Sequence, residues 1–339
     1  MFHSVTKIEL SENRRNARQS PAGPTRRLVL GTILQTTIRH AIAFKGTGLH
    51  SGRPAVMEIT PAPADYGIVF QRTDVDASTG IIPAKWDLVD RSPLCSRLIN
   101  EHGVSVSTVE HIMAALAGCG VHNVLVKIDG PEVPILDGSA LPFVRKLINA
   151  GTKSLGSPLK AIEILKPVQI ECGDAFARLE PANRLEISFS IDFDEAAIGR
   201  QTKTLSLANG AFVRELCDSR TFCRQRDVDA MREQGLALGG TTRNAVVFEG
   251  DRVLSPGGLR HRDEPVRHKI LDALGDLALA GAPILGRYVG HKSGHAMTNT
   301  LLRALNDQKD AWRLVSLSES QQSNLPGAGV DAADICAVA

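Results

Sequence analysis

No stretch of this chain comes near the roughly 18 to 20 consecutive apolar residues that a membrane-spanning helix needs, so no integral membrane segment is expected. One-sided charge is missing as well. Lys and Arg total 39 against 37 Asp and Glu, and the net charge of +2 gives no case for a nucleic-acid partner. The six cysteines, Cys95, Cys119, Cys172, Cys217, Cys223 and Cys336, lack C-x-x-C or any other ligand spacing. Free thiols in a reducing cytosol are the simplest account. Aromatics are only 4%, yet hydrophobic residues reach 43% and 339 residues suffice for two soluble domains. The run Gly46-Thr47-Gly48-Leu49-His50-Ser51-Gly52 is glycine-rich, but it is neither G-x-G-x-x-G nor a phosphate loop and implies no nucleotide site by itself.

Residues 1–35 form a basic, polar extension carrying Arg14, Arg15, Arg18, Arg26 and Arg27, expected to be flexible or to reflect a misassigned start codon. Arg26-Arg27 before Leu28-Val29-Leu30 has the outline of a twin-arginine signal, but the apolar run is short and flows into the first expected strand. Export is therefore not expected. Apolar-rich runs predict strands over 121–128, 161–170 and 185–193, and helices over 108–118, 142–150, 227–234, 266–281 and 296–306. Both halves mix the two types, which predicts an α+β protein with domains at 36–155 and 159–317 and a linker over 151–158. The tail 318–339, rich in Ser, Gly and Ala, is expected to fray.

The most telling local pattern is Val266-Arg267-His268-Lys269-Ile270-Leu271-Asp272. Pro265 suits a first helical position, Asp263 or Glu264 can cap, and Ile270, Leu271, Leu274 and Leu277 supply an apolar face. Positions i and i+4 stack on a helix, so His268 and Asp272 project together, with Asp276 one turn on. This is either half a metal site or an intrahelical hydrogen bond on a solvated face. A third ligand is available in Ser107-Thr108-Val109-Glu110-His111. There Ser107 and Glu110 match an S-x-x-E capping box, while Glu110 beside His111 could equally set a general base next to a metal-bound water. Two His plus a carboxylate with an open fourth position is one form of catalytic zinc site. A rival pair, His291 and His295, is also four apart, but Ser293 and Gly294 are poor helix-interior residues. His291 reads as a loop histidine, and His295 as a candidate acid catalyst at the start of a helix.

Five segments together resemble the UDP-3-O-acyl-N-acetylglucosamine deacetylase family of lipid A biosynthesis: 107–117, Pro131-Glu132-Val133-Pro134-Ile135-Leu136-Asp137-Gly138-Ser139-Ala140, Ser219-Arg220-Thr221-Phe222, 266–277 and 292–301. The likeness runs in order from about Thr37 to about Leu317. It implies two similar two-layer sheet-and-helix domains with the active site between them. It also implies a zinc amidase with His111, His268 and Asp272 as ligands, Glu110 as general base and His295 as the charged acid, oriented by Asp276. By the same resemblance Thr221 polarises the amide oxygen, Lys269 binds substrate, Phe222 stands at the mouth of an acyl-chain passage, and His50 is a secondary contact.

Those implied roles are chemically coherent. Amide cleavage needs a strong nucleophile at neutral pH, stabilisation of the oxyanion and a proton for the departing amine. Iron(II) would suit the same donors. A noncatalytic nucleotide-sugar binder would be expected to lack at least one of these groups, and none is lacking. A hydrolase of another acylated amino sugar remains an alternative that the reacting groups do not distinguish. The expected partner is UDP-3-O-acyl-N-acetylglucosamine, and the protein is expected to be a cytoplasmic monomer. After Thr221-Phe222 the chain departs from the family, with Cys223-Arg224-Gln225 where a glycine, a large apolar residue and methionine are common. Arg224 and Gln225 either alter the acyl passage or point to solvent.

Overall fold

In the computed structural model the described residues are 32–331, except Arg91 and Pro93, together with 333 and 334. The basic extension therefore lies outside them save for its last four residues, among which Thr32 bridges Ser318 and Leu34 opens a strand.

The protein is α+β, and its two halves repeat one plan. In the first half five strands lie in the order Ile42–Thr47, Pro54–Pro61, Val124–Ile128, Ile68–Arg72, Ile81–Pro83. All neighbours are antiparallel except the parallel pair Ile68–Arg72 with Val124–Ile128. In the second half Val168–Cys172, Ala175–Pro181, Ile284–His291, Leu185–Asp192 and Arg200–Ser206 adopt the same order and senses. Lys160–Ile164 and Trp312–Ser316 extend that sheet. Alternation explains the inward faces, since Leu185, Ile187, Phe189 and Ile191 are buried while their neighbours are not.

Six helices are designated α1 (Glu110–Gly118), α2 (Leu141–Ala150), α3 (Ala211–Glu215), α4 (Gln225–Glu233), α5 (Glu264–Ala278) and α6 (His295–Asp307). Helices α1 and α5 occupy corresponding places in the two halves, each preceding its parallel-paired strand, and they pack directly on each other. Gly275 permits this contact: a Cβ there would lie 2.0 Å from the Glu110 carbonyl oxygen. Ile112 and Met113 of α1 join Val266, Ile270 and Leu274 of α5 in a hydrophobic core that continues into both sheets. Each half also carries an insertion between its edge strand and its α1 or α5 helix. One holds the small sheet Val89–Asp90, Arg97–Ile99, Ser105–Val106; the other holds Phe222–Arg224, Val246–Glu249, Arg252–Val253 together with α3 and α4.

Several expectations need correction. Residues 151–158, expected as a linker, hold an ordered strand: Thr152–Pro158 pairs antiparallel with Leu34–Ile38. The run 161–170 is two strands, because Pro167 interrupts the ladder between Lys160–Ile164 and Val168–Cys172. The tail is held over its described part. Ser318 and Gln321 form a capping box for a 3-10 turn, Leu325 is buried beside Leu159 and Leu317, and Asp334 pairs with Arg214.

Candidate functional site

Helix α5 carries His268, Asp272 and Asp276 on successive turns, and α1 brings Glu110 and His111 to meet them at its first turn. His111, His268 and Asp272 are all buried and form a group in which one donor atom from each lies within 4.8 Å of the others, so they could hold a metal ion. The His268 Nδ1 hydrogen is donated to the Ser219 carbonyl at 2.9 Å, which leaves a lone pair on Nε2 facing the group. Asp272 Oδ1 lies 3.2 Å from His268 Nε2 and 3.6 Å from His111 Nε2, yet it makes no hydrogen bond. Acceptors gathered around an orphaned carboxylate oxygen are costly unless a cation joins them, so the donor set fits a metal. Burial lowers the His111 pKa, keeping that ring neutral as a ligand requires. Burial opposes ionisation of Asp272 too, but His268 and Lys269 hold its carboxyl well below the usual range.

Glu110 is not a helix cap. Helix α1 begins at Glu110 itself, and Glu110 Oε2 accepts from the Ser96 amide at 3.0 Å rather than from Ser107. Thr108, with φ +57°, turns the chain there, and its hydroxyl donates to Glu132 Oε1 at 2.9 Å. His50 and Ser51 amides donate to the same Glu132 carboxylate at 2.8 Å each. The glycine-rich segment is thereby clamped against the site.

His295, the first residue of α6, directs Nε2 to 4.0 Å from Glu110 Oε1 and 3.9 Å from Asp272 Oδ2. Its Nδ1 bonds Asp276 Oδ2 at 2.9 Å, and Ser96 Oγ donates to Asp276 Oδ1. Burial works against the imidazolium, but the Asp276 and Glu110 carboxylates outweigh it and lift the His295 pKa to about 9. Burial pushes the Glu110 carboxyl up to about 7; His295 opposes this rise, while Asp272 and Asp276 add to it. The pair is poised for opposite protonation states.

The remaining expected residues line one cleft of about 950 Å³ over this group, including His50, Thr221, Phe222 and Lys269. Lys269 Nζ donates to Asp272 Oδ2 at 2.9 Å, and the Phe222 ring meets His268 edge-on at 6.4 Å. Both His50 ring nitrogens are buried without a partner. His291 does not join the metal group: it ends a strand, bonds Ser190 Oγ at 2.7 Å and stacks on Phe176. Arg224 also lines the cleft, but its guanidinium folds back on Asp227 of α4 at 2.6 Å, and Gln225 pairs with Asp229. Sequence reasoning missed Ser96 and the Ser219 carbonyl, neither of which has any local signature. It also missed the buried pair Arg220–Glu264, which fastens 219–222 to the start of α5 at 2.9 Å.

A family model described as UDP-3-O-acyl N-acetylglycosamine deacetylase matches residues 35–307. A UDP-3-O-acyl-N-acetylglucosamine deacetylase from Shewanella frigidimarina is 46% identical over 289 residues, covering 85% of this chain and 94% of its own. One of the same name from Shewanella baltica is 45% identical with equal coverage. Matched over most of its length by both the family model and these relatives, the chain belongs to the UDP-3-O-acyl N-acetylglycosamine deacetylase family.

Proposed function

We propose that this protein hydrolyses the N-acetyl group of UDP-3-O-[(3R)-3-hydroxyacyl]-N-acetylglucosamine in a zinc-dependent reaction, releasing acetate in the committed step of lipid A biosynthesis. The observation that carries this reading is the opposed pair Glu110 and His295, 4.0 Å apart beside a buried His-His-Asp group. His111, His268 and Asp272 would hold the ion; zinc is the first choice for two His and one carboxylate, and iron(II) suits the same donors. Bound there, zinc supplies Lewis acidity and makes water a competent nucleophile near neutral pH.

The protein's own groups complete the chemistry. Glu110 takes a proton from the attacking water through Oε1, the oxygen not tied to Ser96. The Thr221 hydroxyl donates to the amide oxygen as negative charge builds on it. His295 Nε2 gives its proton to the departing sugar amine, while Asp276 on Nδ1 keeps the ring charged and fixes its plane. Lys269 offers a cation to sugar or phosphate, and His50 a further contact. Phe222 stands with Phe193, Val228 and Met231 along the cleft, an apolar wall suited to an acyl chain. We place the reaction in the cytoplasm and the enzyme as a monomer. Among the described residues no helix is long and apolar enough to cross a membrane.

The test is deacetylase rate on this substrate with protein stripped of metal and then titrated with zinc. Activity returning near one equivalent supports the reading. A folded protein inactive at every zinc level, or equally active on the acylated sugar without UDP, would move the assignment to another acylated amino sugar.

A further inference from the structure

We infer that Ser96 is a positioning residue that ties the proton acceptor and the proton donor of this reaction to a single point. The inference rests on the roles proposed above for Glu110 and His295. Ser96 is 2% exposed and precedes the strand Arg97–Ile99 in the first half's insertion, far in sequence from α5 and α6. Every polar group it owns is spent on the site. Its amide donates to Glu110 Oε2 at 3.0 Å, its carbonyl accepts from the Val109 amide at 3.2 Å, and its hydroxyl donates to Asp276 Oδ1 at 2.5 Å. Asp276 turns its other oxygen to His295 Nδ1 at 2.9 Å.

The result is a chain, Glu110 to Ser96 to Asp276 to His295, that closes except for the 4.0 Å between Glu110 Oε1 and His295 Nε2. That gap faces the His-His-Asp group. The amide bond occupies Oε2 and so leaves Oε1 as the free oxygen of Glu110. The hydroxyl bond fixes the rotation of the Asp276 carboxylate, and through it the plane of the His295 ring. A hairpin inserted in one half thus sets the geometry of two groups carried by helices of both halves. Side chains that orient a reacting group through one hydrogen bond are worth roughly 10- to 100-fold when removed.

The experiment compares Ser96→Ala, Ser96→Thr, Asp276→Ala and the double variant Ser96→Ala/Asp276→Ala as metal-loaded full-length enzyme. Ser96→Ala should lose roughly 10- to 100-fold in kcat while KM and bound zinc stay within about twofold of wild type, since substrate binding does not use the hydroxyl. Ser96→Thr, which keeps the hydroxyl, should recover most of the loss. In the Asp276→Ala background the serine change should add less than about twofold, because its acceptor is already gone. Wild-type kcat in Ser96→Ala, a folded Ser96→Thr as slow as alanine, or independent multiplicative losses would each overturn the inference. Inactive wild type in the same assay would instead sink the deacetylase reading, and this inference with it.

Discussion

Gly275 of α5 lies against the backbone of Glu110 at the start of α1, so close that a Cβ would stand 2.0 Å from the Glu110 oxygen. This contact sets how far the Glu110 and His111 side chains stand from His268 and Asp272. Gly275→Ala must push the helices apart. Overpacking of this kind costs about 1–3 kcal/mol, and the displacement falls on the groups proposed to react. Thermal unfolding and kcat measured together should both fall; a variant with wild-type values would show that the helix contact can relax without disturbing the site.

Removing a proposed ligand and removing the proposed base should be separable. His111→Ala, His268→Ala and Asp272→Ala are expected to lose bound zinc, whereas Glu110→Ala should keep it while turnover drops by roughly 10²–10⁴. His291→Ala, bonded to Ser190 away from the group, should change neither. Metal content by elemental analysis beside initial rates makes the comparison. Loss of zinc from Glu110→Ala would make that residue a ligand.

Activity should trace a bell against pH. It rises as Glu110, held at about 7, ionises, and falls as His295, held at about 9, gives up its proton. A bound divalent cation favours the carboxylate and disfavours the imidazolium, so both limbs in the zinc enzyme should lie below those values. Asp276→Asn removes the carboxylate that holds the imidazolium and should draw the alkaline limb to lower pH. An alkaline limb unmoved in that variant would take His295 out of the role of acid.

The pair Arg220–Glu264 is a structural prediction. Glu264 is buried and accepts from the Arg220 amide and guanidinium and from the Arg260 amide. Glu264→Ala leaves Arg220 charged and unpaired, which should cost about 3–5 kcal/mol. Burial opposes ionisation of Glu264, but these donors outweigh it and hold its pKa below the ordinary 4.5. Its contribution is therefore full above pH 4.5 and is lost as pH falls through the lower folded value. Denaturant midpoints at pH 7 and pH 3 should separate more in wild type than in Glu264→Ala.

Much was legible because it is local. The stretch from Pro265 onward announces a helix through its proline and apolar period, and α5 runs Glu264–Ala278, within two or three residues of that reading, although the expected side-chain cap is not made: Glu264 is already helical and the Asp263 carboxylate bonds Arg267 and Lys203 instead. The i,i+4 stacking of His268 and Asp272 follows from helix geometry alone. The pairing of Thr152–Pro158 with Leu34–Ile38 joins strands more than a hundred residues apart, and neither carries a mark of the other. The end of the tail is similar: Leu325 looks like one apolar residue among polar ones until Leu159 and Leu317 cover it.

By itself the sequence determined the α+β character, the helices that carry the side chains proposed to react, and the residue types able to bind a metal and move protons. Those depend on periodicity and chemistry within a few residues. Only the tertiary structure decided that Glu110 faces His295 rather than capping its own helix. The same Ser107-to-Glu110 pattern serves either purpose, and the choice was made by the left-handed turn at Thr108, the clamp on Glu132 and the Ser96 amide. A side chain bonds whichever donor the fold brings within 3 Å, and the residues that bring it are remote in the chain.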